Sequence, residues 1–180
     1  MPTNLLDVDW SKLPMPEDDS GARHLPGLVV PDIPLDATRG GQVSPGALAG
    51  CTVLYVYPMT GRPGVTLPNG WDQIPGARGC TPQACAFRDH YADLKEAGAD
   101  HVFGLSVQES AEQSEAATRL HLPFPLLSDS SFVIAETLRL SLLRVTMIID
   151  DARITHVFYP VFPADRNAAD VLNWLKGRSS

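Results

Sequence analysis

Apolar residues along the chain fall into short blocks of two different periods, separated by breaks rich in Gly and Pro. The run Thr-Val-Leu-Tyr-Val-Tyr at 52–57, closed by Pro58, is unbroken and dominated by β-branched and aromatic residues. That pattern predicts a strand covered on both faces. Ala84, Phe87, Tyr91 and Leu94 then repeat at helical spacing, which predicts a helix packed on a sheet. Its expected ends are Thr81 as N-cap, Pro82 as the first helical residue and Gly98 as terminator. Upstream, Val29, Val30, Ile33 and Leu35 form a broken extended run. Arg39-Gly40-Gly41 offers a turn before Gln42-Val43, so a small N-terminal β-hairpin is expected. Downstream, strands are expected at 101–105, 124–127, 146–149 and 154–159. Between and after them come a helix opened by a Ser110/Gln113 capping box and running to about Leu120, a short helix at 132–138, and a C-terminal helix striped by Ala168, Val171, Leu172 and Leu175. This order predicts an α/β fold with a central mixed β-sheet flanked by helices.

Residues 1–26 do not share the pattern. They are polar, acidic and broken by proline, with Leu5, Leu6, Trp10 and Leu13 read as the residues that pack. They read as an extension draped over the surface with room for one short helix, and residues 27–180 as one domain. At 180 residues, 44% of them hydrophobic, the chain is large enough for a single core. The net charge of -7, with no cluster of Lys or Arg, argues against nucleic acid or an anionic membrane as partner. No apolar run approaches the ~20 residues that span a bilayer, and the acidic N-terminus lacks the basic start of a secretory signal. A cytoplasmic protein is expected.

The chemistry lies with Cys80 and Cys85. Three cysteines (Cys51 is the third) do not make a secreted disulfide framework, and a reducing compartment fits them better. Cys51, placed before the buried strand, reads as a small hydrophobe. Cys80 follows Gly79 and stands at the start of the helix, where unpaired N–H groups and the positive end of the helix dipole favour an anion. The anion a cysteine offers is a thiolate. Full ionisation of an ordinary thiol gains only about thirtyfold at neutral pH, roughly 2 kcal/mol, whereas even modest enzymes supply ~8 kcal/mol. The remainder must come from donors aimed at charge developing on the substrate, such as backbone N–H groups at Cys80 and an arginine from elsewhere. Cys85 lies five residues on. In a regular helix that is a rise of ~7.5 Å and a turn of ~140°, so the two sulfurs diverge and cannot bond while the first turn is wound.

The segment Gly79-Cys80-Thr81-Pro82-Gln83-Ala84-Cys85-Ala86-Phe87-Arg88-Asp89, with Tyr57-Pro58 before it and Leu122-Pro123-Phe124-Pro125-Leu126-Leu127-Ser128-Asp129 after it, closely resembles the Q-type (bacterioferritin-comigratory) peroxiredoxins. The resemblance runs from about Leu28 to Leu175. It implies a thioredoxin-like fold and reduction of hydrogen peroxide and organic hydroperoxides with no metal, flavin or other cofactor. By resemblance Cys80 is the peroxidatic cysteine, oxidised to sulfenic acid, and Cys85 the resolving cysteine that closes an intramolecular disulfide. Arg144, in Arg144-Val145-Thr146-Met147-Ile148-Ile149-Asp150, matches the arginine that steadies thiolate and peroxide. Gly79, Thr81 and Gln83 fall in the substrate-binding part of the motif. The implied reductant is thioredoxin or a glutaredoxin-like dithiol, and the implied state is a monomer or weak homodimer. Arg88 is read as an exposed partner of Asp89, and the resemblance implies that it helps orient the active-site arginine.

Three departures from the family bear on the peroxide pocket. The Thr or Ser usual three residues before the peroxidatic cysteine is Ala77 here, and Thr60 is the residue able to fold back and supply the hydroxyl. The Glu usual three residues after it is Gln83. About fifteen residues are inserted between Pro58 and Cys80, in a Gly- and Pro-rich stretch at 59–79; its apolar members Trp71 and Ile74 are expected either to wall the pocket or to decorate the surface. Two other functions stay open on the residues alone. A thioredoxin-like thiol-disulfide oxidoreductase would ordinarily hold its cysteines as C-x-x-C. A thiolate metal carrier would need side chains that converge. His24, His90, His101, His121 and His156 are scattered singly, and capping or surface roles are expected for them.

Overall fold

A computed structural model describes residues 4–141 and 143–178. The chain forms one seven-stranded mixed sheet in the order β2-β1-β5-β4-β3-β6-β7. The strands are β1 (Leu35–Ala37), β2 (Gln42–Val43), β3 (Cys51–Val56), β4 (His101–Ser106), β5 (Leu126–Ser128), β6 (Val145–Asp150) and β7 (Arg153–Phe158). The helices are α1 (Cys80–Asp89), α2 (Tyr91–Glu96), α3 (Ser110–Arg119), α4 (Val133–Leu138) and α5 (Asn167–Arg178). β3, β4 and β5 run parallel, and β6 lies antiparallel to β3 with Val145 opposite Val56.

The unbroken apolar run of β3 is explained by its place in the middle of the sheet. All six of its residues are buried, and successive side chains enter opposite cores. Val53 and Tyr55 join a cluster with Phe87 of α1, Leu94 of α2 and Val171 and Leu175 of α5. Leu54 and Val56 join a second cluster with Ile134 and Leu138 of α4 and with Ala22, Leu25 and Val30 ahead of the hairpin. The Tyr55 ring stacks on Phe87 at 4.4 Å and 3°, so the centre of α1 is held directly over the middle strand.

Several element ends differ from the expected ones. The helix expected to run from Thr81 to Gly98 is two helices, parted at His90, whose ψ of 3° leaves the α-helical region. α1 starts at Cys80, two residues early, and its N-cap is Gly79 with φ 109°, a conformation that favours glycine. Thr81 is therefore inside the first turn and caps nothing. The Ser110/Gln113 box is also absent: Glu109 is the N-cap of α3, while the Gln113 amide turns inward and donates to Tyr57 Oη and to the Leu127 carbonyl. β5 begins at Leu126, two residues after Phe124, because the register of the parallel pair places Leu126 opposite Gly104.

The N-terminal extension carries one 3-10 turn, Trp10–Lys12, and follows the rim of the inserted stretch. Asn4 O accepts from Arg78 Nη2 at 2.6 Å, and Asp19 Oδ1 accepts from Tyr159 Oη at 2.6 Å. Between them Trp10 packs closely against Gly79: a Cβ there would be 2.3 Å from the indole Cη2. Trp10 is held edge-on to Phe162 at 5.6 Å and donates from Nε1 to Asp165.

Candidate active site

Four elements meet at the start of α1. Gly79 turns the chain into the helix. β3 ends beside it at Val56, and its antiparallel partner β6 brings in Arg144, the residue just before Val145. α5 closes the far side with Asn167.

Cys80 is 5% exposed and Arg144 2%. Arg144 Nη2 donates to the Cys80 sulfur at 3.2 Å and to the Ala77 carbonyl at 3.0 Å, while Nη1 donates to Gln83 Oε1 at 2.5 Å. Arg144 Nε is buried and has no partner, as is Thr81 Oγ1. None of the ion pairs among the described residues involves Arg144. A buried guanidinium with no carboxylate to neutralise it is costly unless an anion stands next to it. The Cys80 sulfur lies within hydrogen-bond distance of it. Arg144 also lines a cleft with Pro16, Pro75, Gly76, Leu143 and Tyr159.

Cys85 lies on the same helix, 9% exposed, and both thiols are free. Burial, the largest influence, pushes the Cys85 thiol up from its ordinary value, which holds it as neutral S–H while the helix is wound. Along ten continuous residues of α1, the five-residue offset leaves the two sulfurs on diverging directions. A disulfide between them requires the start of α1 to open.

Thr60 is brought to the site but does not reach the sulfur. It lines a hollow with Tyr57, Cys80, Ala84 and Leu126, and its main chain is clamped by Gln108, whose Oε1 accepts from Thr60 N at 2.9 Å and whose Nε2 donates to Thr60 O at 3.3 Å. Its hydroxyl faces Tyr57. Burial pushes the Tyr57 phenol well above its usual range, so it remains an uncharged partner there. Gly79 directly precedes Cys80, and Gln83 accepts from Arg144. Arg88 takes no part in orienting Arg144: it donates to Asp89 and to the Leu120 carbonyl.

In the inserted stretch, Trp71 borders a separate hollow formed by residues 66–73, and Ile74 is 40% exposed. Pro75 and Gly76 are the inserted residues that face the Arg144 cleft. Cys51 sits at the opposite end of β3, where its sulfur accepts from Arg178 at 3.3 Å. Among the described residues no cluster of three or more His, Cys, Asp or Glu is arranged to hold a metal.

Gln108, Gln113, Thr146 and Asn167 were not legible as site residues. No local pattern marks them, because their partners are distant in sequence, as with Gln83 and Thr146 for Asn167.

This arrangement defines a thiol site on a thioredoxin-like sheet, and comparison with known proteins places it more closely. The Redoxin family matches residues 25–172. Peroxiredoxin Bcp of Escherichia coli is 32% identical over 164 residues, covering 83% of this chain and 94% of that protein. The chloroplastic peroxiredoxin Q of Arabidopsis thaliana is 40% identical over 104 residues, which are 57% of this chain and 41% of the plant protein. The crystal structure of peroxidoxin BcpB from Mycobacterium tuberculosis superposes with a TM-score of 0.67 at 26% identity, covering 87% of this chain and 99% of that one. Peroxiredoxin Q of Xanthomonas campestris, at 19% identity and a TM-score of 0.65 over 93% of this chain and 98% of that one, shares the fold. The chain belongs to the Redoxin family, in its peroxiredoxin Bcp/Q branch.

Proposed function

We propose that the protein is a thiol peroxidase in which Cys80 reduces hydroperoxides and Cys85 resolves the product. The observation that carries this reading is the buried, carboxylate-free Arg144 guanidinium 3.2 Å from the Cys80 sulfur. The thiolate attacks the terminal peroxide oxygen; the O–O bond breaks, the sulfur becomes sulfenic acid, and the departing alkoxide or hydroxide takes a proton to leave as alcohol or water. Donors on Arg144 are fixed in advance where negative charge develops, which is the form of stabilisation worth most in a dry site. Its unpartnered Nε and the Thr81 hydroxyl are donors available to the peroxide oxygens. Once the start of α1 opens, the Cys85 thiol displaces water from the sulfenic acid and the Cys80–Cys85 disulfide forms. An external dithiol of thioredoxin type returns both cysteines to thiols and is itself oxidised to a disulfide.

Among the described residues no helix is long and apolar enough to cross a membrane. A cytoplasmic location is supported by the acidic, unclustered charge and by the three free thiols. The cleft walled by Pro75, Gly76 and Pro16 supports a role for the inserted stretch in substrate choice. Deletion of residues 65–73 leaves that wall in place, so it should leave the preference between hydrogen peroxide and bulky hydroperoxides unchanged; a shifted preference would assign the choice to the Trp71 segment instead.

The experiment for the chemistry is to mix reduced protein with one equivalent of hydrogen peroxide and follow mass. Cys85→Ser should trap one added oxygen on Cys80, and Cys80→Ser should lose the fast phase. Oxidation of the unaltered protein no faster than that of free cysteine would refute the proposal.

A further inference from the structure

Behind Arg144 a buried chain of hydrogen bonds ends on Asn167. Arg144 Nη1 donates to Gln83 Oε1 at 2.5 Å, and Gln83 Nε2 donates to Asn167 Oδ1 at 3.1 Å. The same Asn167 oxygen accepts from Thr146 Oγ1 at 2.7 Å. Gln83 and Thr146 are fully buried, and Asn167 is 3% exposed. The chain joins α1, β6 and α5, so it ties the peroxidatic helix to the two elements that flank it.

The donor and acceptor order of this chain can run only one way. A guanidinium has donors and no acceptor, so the Gln83 atom facing Arg144 must be oxygen. The amide NH2 then points away and needs a buried acceptor, because an unsatisfied donor there is expensive. Asn167 Oδ1 is that acceptor, and the Thr146 hydroxyl donates to its second lone pair. A glutamate at position 83 would present two equivalent oxygens and need no such orientation. A glutamine has one, and its direction must be imposed by a neighbour.

We propose that Asn167 is a positioning residue for the peroxidatic centre: its Oδ1 holds the Gln83 amide with the oxygen on Arg144, and this keeps the guanidinium on the Cys80 sulfur. The inference rests on Cys80 being the reacting sulfur. Because every link behind Arg144 is uncharged, no carboxylate competes with the sulfur for the guanidinium.

A double-mutant cycle separates this role from a merely structural one. The rate constant for oxidation of Cys80 by hydrogen peroxide is measured in the unaltered protein, in Asn167→Leu, in Gln83→Glu, and in the double variant. Asn167→Leu alone should slow oxidation about tenfold, the rate equivalent of one hydrogen bond. On the Gln83→Glu background the same substitution should change the rate by less than about twofold, because a carboxylate needs no orienting partner. Asn167→Ala carries the same cycle if the larger side chain does not fold. Equal losses on both backgrounds, or no loss on the first, would overturn the role of Asn167. Unaltered protein in which Cys80 reacted no faster than Cys51 would instead remove the peroxidase reading itself.

Discussion

Replacing Arg144 with lysine tests geometry apart from charge, since both side chains are cationic. The guanidinium spans three acceptors at once: Gln83 Oε1 through Nη1, and the Ala77 carbonyl and the Cys80 sulfur through Nη2. An ammonium is a single point of charge and cannot bridge two sites held by different nitrogens of a planar fork. At least one charge-assisted hydrogen bond is lost, worth about 1.5–3 kcal/mol. If that bond acts on the sulfur or on the departing oxygen, the rate constant for peroxide falls by roughly ten- to a hundredfold. Stopped-flow oxidation by hydrogen peroxide, followed by tryptophan fluorescence, measures the rate; a urea transition shows whether Arg144→Lys remains folded. A folded variant within threefold of the unaltered rate would refute the claim that the guanidinium geometry drives the reaction.

Other perturbations have equally direct outcomes. Gly79→Ala forces a side chain into φ 109° and against the Trp10 ring; the backbone alone costs about 1–2 kcal/mol, so the urea midpoint should drop and Trp10 emission should shift red, and an unchanged midpoint would contradict the packing. Phe87→Ala removes the ring stacked on Tyr55 and should destabilise the fold by about 3–5 kcal/mol, read from denaturant unfolding; a loss under 1 kcal/mol would mean that α1 is not anchored there. Burial pushes the Cys85 thiol up, so its charged form is scarcer than in free cysteine at neutral pH. In Cys80→Ser, iodoacetamide labelling of Cys85 should therefore be slower than that of free cysteine and should rise with pH into a more alkaline range, with the difference abolished in urea.

The sheet was readable because its central strand has no solvent-facing side: a run such as 52–57 has few alternatives to a strand between two cores. The helix carrying Cys80 was readable from its apolar face, but its start was misplaced. Thr81-Pro82 is a good local N-terminus by composition, yet the tertiary contact of Trp10 with Gly79 and the left-handed conformation of that glycine set the boundary two residues earlier. Cys80, Cys85 and Arg144 stood out through resemblance to a family, with helix-start electrostatics as independent support for Cys80. The polar residues behind them did not. Gln113 looked like a capping residue because local spacing cannot show that its amide is needed by Tyr57 and Leu127. Asn167 gave no local signal at all, since its partners lie 84 and 21 residues away. Apolar character did not decide between a wall and a surface role for Trp71 and Ile74, because it marks residues that pack somewhere; the cleft is lined by Pro75, Gly76 and Pro16, and Trp71 borders a separate hollow.

The most direct test is a peptide map of reduced protein after a single equivalent of hydrogen peroxide, quenched by alkylation. The account predicts a cross-linked Cys80–Cys85 peptide two mass units below the dithiol, with Cys51 alkylated and a rate far above that of free cysteine. Oxidation that engages Cys51, or that leaves Cys80 and Cys85 both alkylated, would contradict it.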